Sequence, residues 1–155
     1  MARTKLRHMP VRLATGAFIV NSGVGKLQAD DETAARVHAM ASGAYPMFGN
    51  LGPGFFTRAL GSAEVALGTA LVVPVVPTAV AAAGLTAFSA GLLRLYARTP
   101  GLRQEGSWRP TQQGTAVAKD VWLLGIGLSL LADRAGARRR RNRARRAKAK
   151  SARVS

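Results

Sequence analysis

VALGTALVVPVVPTAVAAAGLTAFSAGLL, residues 65–93, contains no charged residue, and its reading decides the fold. As one helix these 29 residues would extend roughly 43 Å, well past a hydrocarbon core roughly 30 Å thick. Pro74 and Pro77 stand in the middle of the run. A proline inside a helix removes a backbone donor and costs about 3 kcal/mol, so the pair marks a turn. The run therefore divides into helices over residues 54–73 and 78–97. Each has the length that crosses a bilayer. A soluble helical hairpin would need a polar face, and Thr78–Leu93 offers almost none. The expected structure is a transmembrane hairpin.

Two weaker segments flank it. PVRLATGAFIVNSGVGKL (residues 10–27) is apolar between Arg12 and Lys26, whose long side chains at the two ends are expected to snorkel to the headgroups. TAVAKDVWLLGIGLSLLA (residues 115–132) carries Lys119 and Asp120 near its start. Beside the hairpin both read as spans. The fold expected is all-α: a four-helix transmembrane bundle over residues 1–134, followed by a disordered Arg-rich tail over 135–155. No cleavage site follows the first apolar segment, so it is read as retained rather than as a signal peptide.

The composition agrees. The chain has 155 residues and a formal charge of +16, yet 48% of it is hydrophobic. The charge is uneven: eleven of the 23 cations lie between Arg134 and Arg153. Arg3, Lys5, Arg7 and Arg12 add a basic N-terminal end. The positive-inside rule then places both ends in the cytoplasm of a cell-membrane protein, and an even number of spans agrees. The VPVVP turn would also be inside, with residues 28–53 and 98–114 outside. Arg98, Arg103 and Arg109 argue against this orientation but are outnumbered.

In the first outer loop, Asp30, Asp31 and Glu32 suit a helix start, and Val37, Met40, Ala41 and Ala44 recur on one helical face. A short amphipathic helix over about 31–42 is expected on the outer surface, ended by Gly43 and Pro46. Tyr45, Phe48, Phe55 and Phe56 follow, as at a headgroup boundary. The second loop is rich in Gly, Pro and Gln and reads as irregular, with Trp108 as an interfacial anchor.

Catalytic motifs are scarce. There is no Cys, which excludes disulfides, thiol catalysis and iron–sulfur ligation. SGVGKL lacks the Gly and the Ser or Thr that a phosphate loop requires, because Val20 and Leu27 stand in those places. The two histidines, His8 and His38, lie in different segments and cannot be read as a haem pair. No metal set or nucleophile–base pair emerges, and no catalytic activity of the chain's own is expected.

One acid stands out. Glu64 lies inside an apolar span, where a charge is expensive and faces the bundle interior or a water-filled cavity. Gly61 and Gly68 share its face and would allow close helix contact. Asn21, Ser22 and Lys26 stand at one end of the first helix, Lys119 and Asp120 at the matching end of the fourth. The expected arrangement is a polar cluster of Asn21, Lys26, Glu64, Lys119 and Asp120, with Glu64 paired to Lys26 or Lys119. It would act as a register-fixing pair or as a ligand or proton site. The tail run Arg138, Arg139, Arg140 and Arg141 would meet anionic phospholipid headgroups. Nucleic-acid binding is the rival, disfavoured because no aromatic residue is interleaved for stacking.

These segments resemble DoxX-like membrane proteins. RLATGAFIVNSGVGKL (12–27) is similar to their first helix through Gly23 and Lys26. RALGSAEVALGTAL (58–71) is similar to their second through Glu64 and Gly68. AKDVWLLGIGLSLL (118–131) is similar to their fourth through Lys119 and Asp120. The resemblance covers about residues 10–134. It implies a four-helix integral membrane protein, a non-catalytic subunit or anchor of a redox-related membrane assembly. Electron transfer would need a bound quinone or a protein partner, because the chain has no redox centre of its own.

Overall fold

The computed structural model describes residues 6–151, and their side chains except at Arg141, Ala144, Arg145 and 147–151. Arg3, Lys5 and Arg153, counted above toward topology, lie outside the described residues, as does the side chain of Arg141. The described chain is all-helical, without strands: α1 (Met9–Leu27), α2 (Asp31–Ala44), α3 (Pro53–Val72), α4 (Thr78–Arg98), α5 (Thr115–Ala118) and α6 (Val121–Ser151). Short 3-10 turns at Leu6–His8 and Pro46–Phe48 precede α1 and follow α2. Three stretches are long and apolar enough to cross a membrane: Pro53–Val72, Thr78–Arg98 and Thr115–Arg140.

The VPVVP turn forms where the prolines demand it. Val73 leaves the helical region for an extended conformation (φ −73°, ψ 118°), as a residue before proline must. The chain turns through residues 74–77, and α4 starts immediately after Pro77. Helix α2 is capped as its acids foretold, with the Asp30 carboxylate accepting the Thr33 N–H at 2.8 Å. It does not stop at Gly43. The Tyr45 N–H bonds back to the Ala41 carbonyl, and the helix ends at Ala44, ahead of Pro46.

Two further expectations are corrected. The fourth helix does not run unbroken from residue 115. At Lys119–Asp120 the bonding tightens, with Asp120 N–H bonding Val117 O and Trp122 N–H bonding Lys119 O. These short bonds separate α5 from α6. Of the tail expected from 135, residues 135–151 are helical, as α6 continues to Ser151. Ala, Arg and Lys are strong helix formers, and a helix already nucleated by its apolar half extends without a second nucleation penalty. At 31 residues α6 is roughly 46 Å long.

Helices α1 and α3 run antiparallel along their full lengths and meet at glycines. A Cβ on Gly16 would lie 2.7 Å from the Gly68 carbonyl oxygen, and one on Gly23 would lie 2.6 Å from that of Gly61. The reciprocal approaches are 2.6 and 2.8 Å. The two backbones therefore touch directly, with no room for any side chain at either crossing. Helix α4 follows α3 as a hairpin and packs on α6, where Gly127 sits against Thr86. Ile19, Leu71, Ala81, Leu85 and Leu123 form the buried core between these helices. α1 and α6 share no extended contact. The turn before α1 is tied to α6 instead: Arg7 and His8 both bond the Asp133 carboxylate. Apolar side chains cover much of the outside: Phe18 is 62% exposed, Val80 63% and Trp122 69%.

Candidate functional site

Two charged groups that the sequence placed at the ends of α1 lie inside the protein. Arg12 was expected to snorkel outward. Instead it is fully buried and its guanidinium reaches across to the end of α3. Nε donates to the Leu71 carbonyl at 2.7 Å, and Nη2 donates to those of Ala70 at 2.9 Å and Val73 at 3.0 Å. Both terminal nitrogens reach the Val76 carbonyl at 3.3 Å, and Nη1 also donates to Thr78 Oγ1 at 3.1 Å. The last carbonyls of a helix have no partner in the helix and carry its negative end. The forked guanidinium satisfies several at once, which is why it is drawn inward. Sequence reasoning missed this because the acceptors are backbone atoms some 60 residues away, which leave no mark in residue identity.

Lys26, at the other end of α1, pairs with the acid inside apolar α3. Its ammonium lies 2.8 Å from Glu64 Oε2 and donates to Ser22 Oγ at 2.8 Å. Glu64 is 3% exposed, so the pair is effectively withdrawn from water. The Gly23–Gly61 contact makes this possible: with the backbones touching, α1 is close enough for Lys26, one turn on, to reach Glu64.

The pair borders a cavity of about 440 Å³. Phe18, Ile19 and Ser22 of α1 form one side, with Leu60 of α3. Phe88, Leu92 and Leu95 of α4 face them. Val37, Met40 and Ala41 of α2 lie across it, and Ala116, Val117, Asp120 and Leu123 close the far side. The amphipathic face read in α2 thus lines a chamber rather than resting only on a membrane surface. α2 is pinned over it by the Tyr45 hydroxyl, which donates to the Gly91 carbonyl at 2.9 Å, and by the Thr57 hydroxyl, which donates to that of Ala34 at 3.3 Å. Arg94 stacks over the Tyr45 ring at 5.0 Å.

Of the expected cluster, the structure gathers Lys26, Glu64 and Asp120 around this cavity and adds Ser22. Asn21 and Lys119 are exposed and do not line it. The reasons are local. Asn21 lies one residue from Ser22, about 100° round the helix, so both cannot face inward. The tight turn between α5 and α6 presents Asp120 to the cavity and leaves Lys119 outside. Arg138, Arg139 and Arg140 are exposed on α6. His38 packs edge-on against Phe56 and bonds the Phe48 carbonyl at 2.9 Å. Among the described residues, no three of His, Asp and Glu come together in a way that could hold a metal ion.

Comparison with known proteins finds no matching family model, no similar curated protein and no similar solved structure.

Proposed function

We propose that the chain is a four-span integral membrane protein, a non-catalytic subunit that holds a small molecule in the cavity beside Lys26, Glu64 and Asp120. The observation that carries this reading is the cavity itself, an apolar chamber between helices with a few converging polar groups in its wall. The surrounding helices expose apolar side chains on their outer faces, which suits lipid. α1 joins as the fourth span because it is bonded to α3 along its whole length, so a bilayer that holds α3 holds α1 too. Both termini and the VPVVP turn then lie on the cytoplasmic side, with the cavity toward the opposite side.

Support for a DoxX-like relationship comes from four of the residues that suggested it, Gly23, Lys26, Glu64 and Gly68, which lie together at the α1–α3 contact, while Lys119 stays outside. Gly23 meets Gly61, Gly68 meets Gly16, and Lys26 meets Glu64. On that reading the protein serves a redox-related membrane assembly as anchor, and the cavity is where a quinone or another small molecule would sit. Ser22, the hydroxyl in the cavity wall, accepts from a Lys26 ammonium that is ion-paired with Glu64 and so acts as a donor rather than a base; binding rather than catalysis is the role proposed.

The test has two parts. The protein should stay in membranes through alkaline carbonate and high-salt washes. The wild-type chain, purified in mild detergent, should carry a small molecule detectable by mass spectrometry that E64Q lacks, while E64Q elutes as the same species. Release from the membrane, or the same bound molecule in E64Q, would defeat the proposal.

A further inference from the structure

The charges around the cavity sum to zero but are unevenly paired. Four charged residues line it: Lys26, Arg36, Glu64 and Asp120. Lys26 is committed to Glu64, deep in the wall. Arg36, at the mouth, is paired with Glu32 at 3.2 Å and is largely exposed, so water screens what remains of its charge. That leaves Asp120. Its side chain is half-buried and faces the cavity, and among the described residues it accepts no hydrogen bond. Lys119, its neighbour in sequence, is exposed and outside the cavity wall. A carboxylate in an apolar chamber without a donor is costly, and a positively charged ligand relieves that cost directly.

We infer that the cavity binds a lipophilic organic monocation, with Asp120 as its recognition carboxylate. The inference rests on the small-molecule reading above and gives its ligand class. The rest of the wall fits that class. Phe18 and Phe88 offer ring faces to a cation, and Ile19, Leu60, Leu92, Leu95 and Leu123 offer apolar surface to its substituents. A neutral quinone suits the site less well. Its carbonyls only accept hydrogen bonds, whereas the one ammonium deep in the wall already serves Glu64 and Ser22. Access is from the bilayer side. Phe18 lines the cavity yet is 62% exposed, on the flank of α1 where α6 does not pack. An apolar groove of about 470 Å³ between Val11 and the Val121–Leu130 stretch continues along the same flank.

The full-length protein in nanodiscs should be titrated calorimetrically with tetraphenylphosphonium, and in parallel with neutral triphenylphosphine oxide. The cation should bind the wild type more tightly than the neutral compound does. D120N should weaken cation binding by roughly 10- to 100-fold, through loss of direct charge–charge attraction in a partly desolvated site, and leave the neutral compound unaffected. D120E should recover most of the loss. V117W, which fills the cavity without touching its charges, should abolish cation binding and guards against misfolding of D120N. Equal cation affinity in D120N and wild type would overturn the inference. So would a neutral compound binding as tightly as the cation, although the cavity would then remain a small-molecule site. If neither probe binds and V117W still carries the wild-type co-purified molecule, both the cation assignment and the cavity reading fall.

Discussion

The two flanks of α1 are built on opposite principles. On one flank α1 touches α3 backbone to backbone at Gly16–Gly68 and Gly23–Gly61. A cation at each end then ties it down: Arg12 to the α3 carbonyls and Lys26 to Glu64. On the other flank α1 and α6 barely meet, Phe18 stands bare, and Asp120 faces a cavity without a donor. Three of the four polar groups concerned, Arg12, Lys26 and Glu64, are bonded on the α3 side. The unsatisfied one lies across the gap. A buried charge whose partners are all in place describes architecture. Asp120, which faces the cavity, is the carboxylate assigned above to the proposed ligand.

The sharpest way to break this contrast is at Arg12. R12M would leave the carbonyls of Ala70 and Leu71 and the Thr78 hydroxyl without their Arg12 donor, in a protected environment. A loss of about 3 kcal/mol or more is expected from several unsatisfied acceptors, read as a lower thermal midpoint in detergent. R12K should rescue little, because an ammonium lacks the planar fork that reaches several carbonyls together. Full stability in R12K would mean that charge alone holds the turn.

Glycines on the two flanks offer a matched pair. G68A places a Cβ about 2.6 Å from the Gly16 carbonyl oxygen, so the helices must separate. A destabilisation of about 1–3 kcal/mol is expected, together with a weaker Lys26–Glu64 contact. Gly125, on α6, has nothing within 4 Å of where its Cβ would be. G125A should therefore be neutral or stabilising by up to about 1 kcal/mol through helix propensity alone. Equal effects of the two changes would erase the distinction between the closed and open flanks.

The smallest effect expected lies at the rim, where α2 begins. The Thr33 backbone N–H, together with the Thr33 side chain, holds the Asp30 carboxyl below the ordinary carboxylate range. The folded state therefore favours the ionised form. Its contribution is complete above the unfolded carboxyl's pKa and fades as pH falls through the lower folded value. D30N keeps the capping acceptor but cannot titrate. Its thermal midpoint should fall less steeply than the wild type's between about pH 5 and pH 2. Parallel curves would show that the cap contributes nothing to acid stability.

Much of this architecture is legible along the chain because it depends on local physics. Two prolines three apart cannot continue a helix, so the hairpin turn is written in residues 74–77. Apolar runs of bilayer length announce the three stretches apolar enough to cross a membrane, and Asp30 ahead of two more acids announces α2. Glu64 is conspicuous because its neighbours are apolar, and Gly61 and Gly68, seven apart on α3, mark a face that can approach closely. These readings need only propensity, solvation and the helical repeat.

Pairing is what the linear order leaves open. That Arg12 turns inward depends on carbonyls from a different helix. That Lys26 rather than Lys119 meets Glu64 depends on the closeness of α1 and α3 and on a tight turn that points Lys119 away. The unpartnered state of Asp120 depends on α6 standing apart from α1. The apolar run of α6 and its basic extension are separate compositions in the sequence, yet they form one helix, because a nucleated helix propagates wherever its residues allow. Helix contacts are decided by which surfaces meet across tens of residues of chain, 38 for Lys26–Glu64 and 59 for Arg12–Leu71, and only the tertiary structure brings those surfaces together.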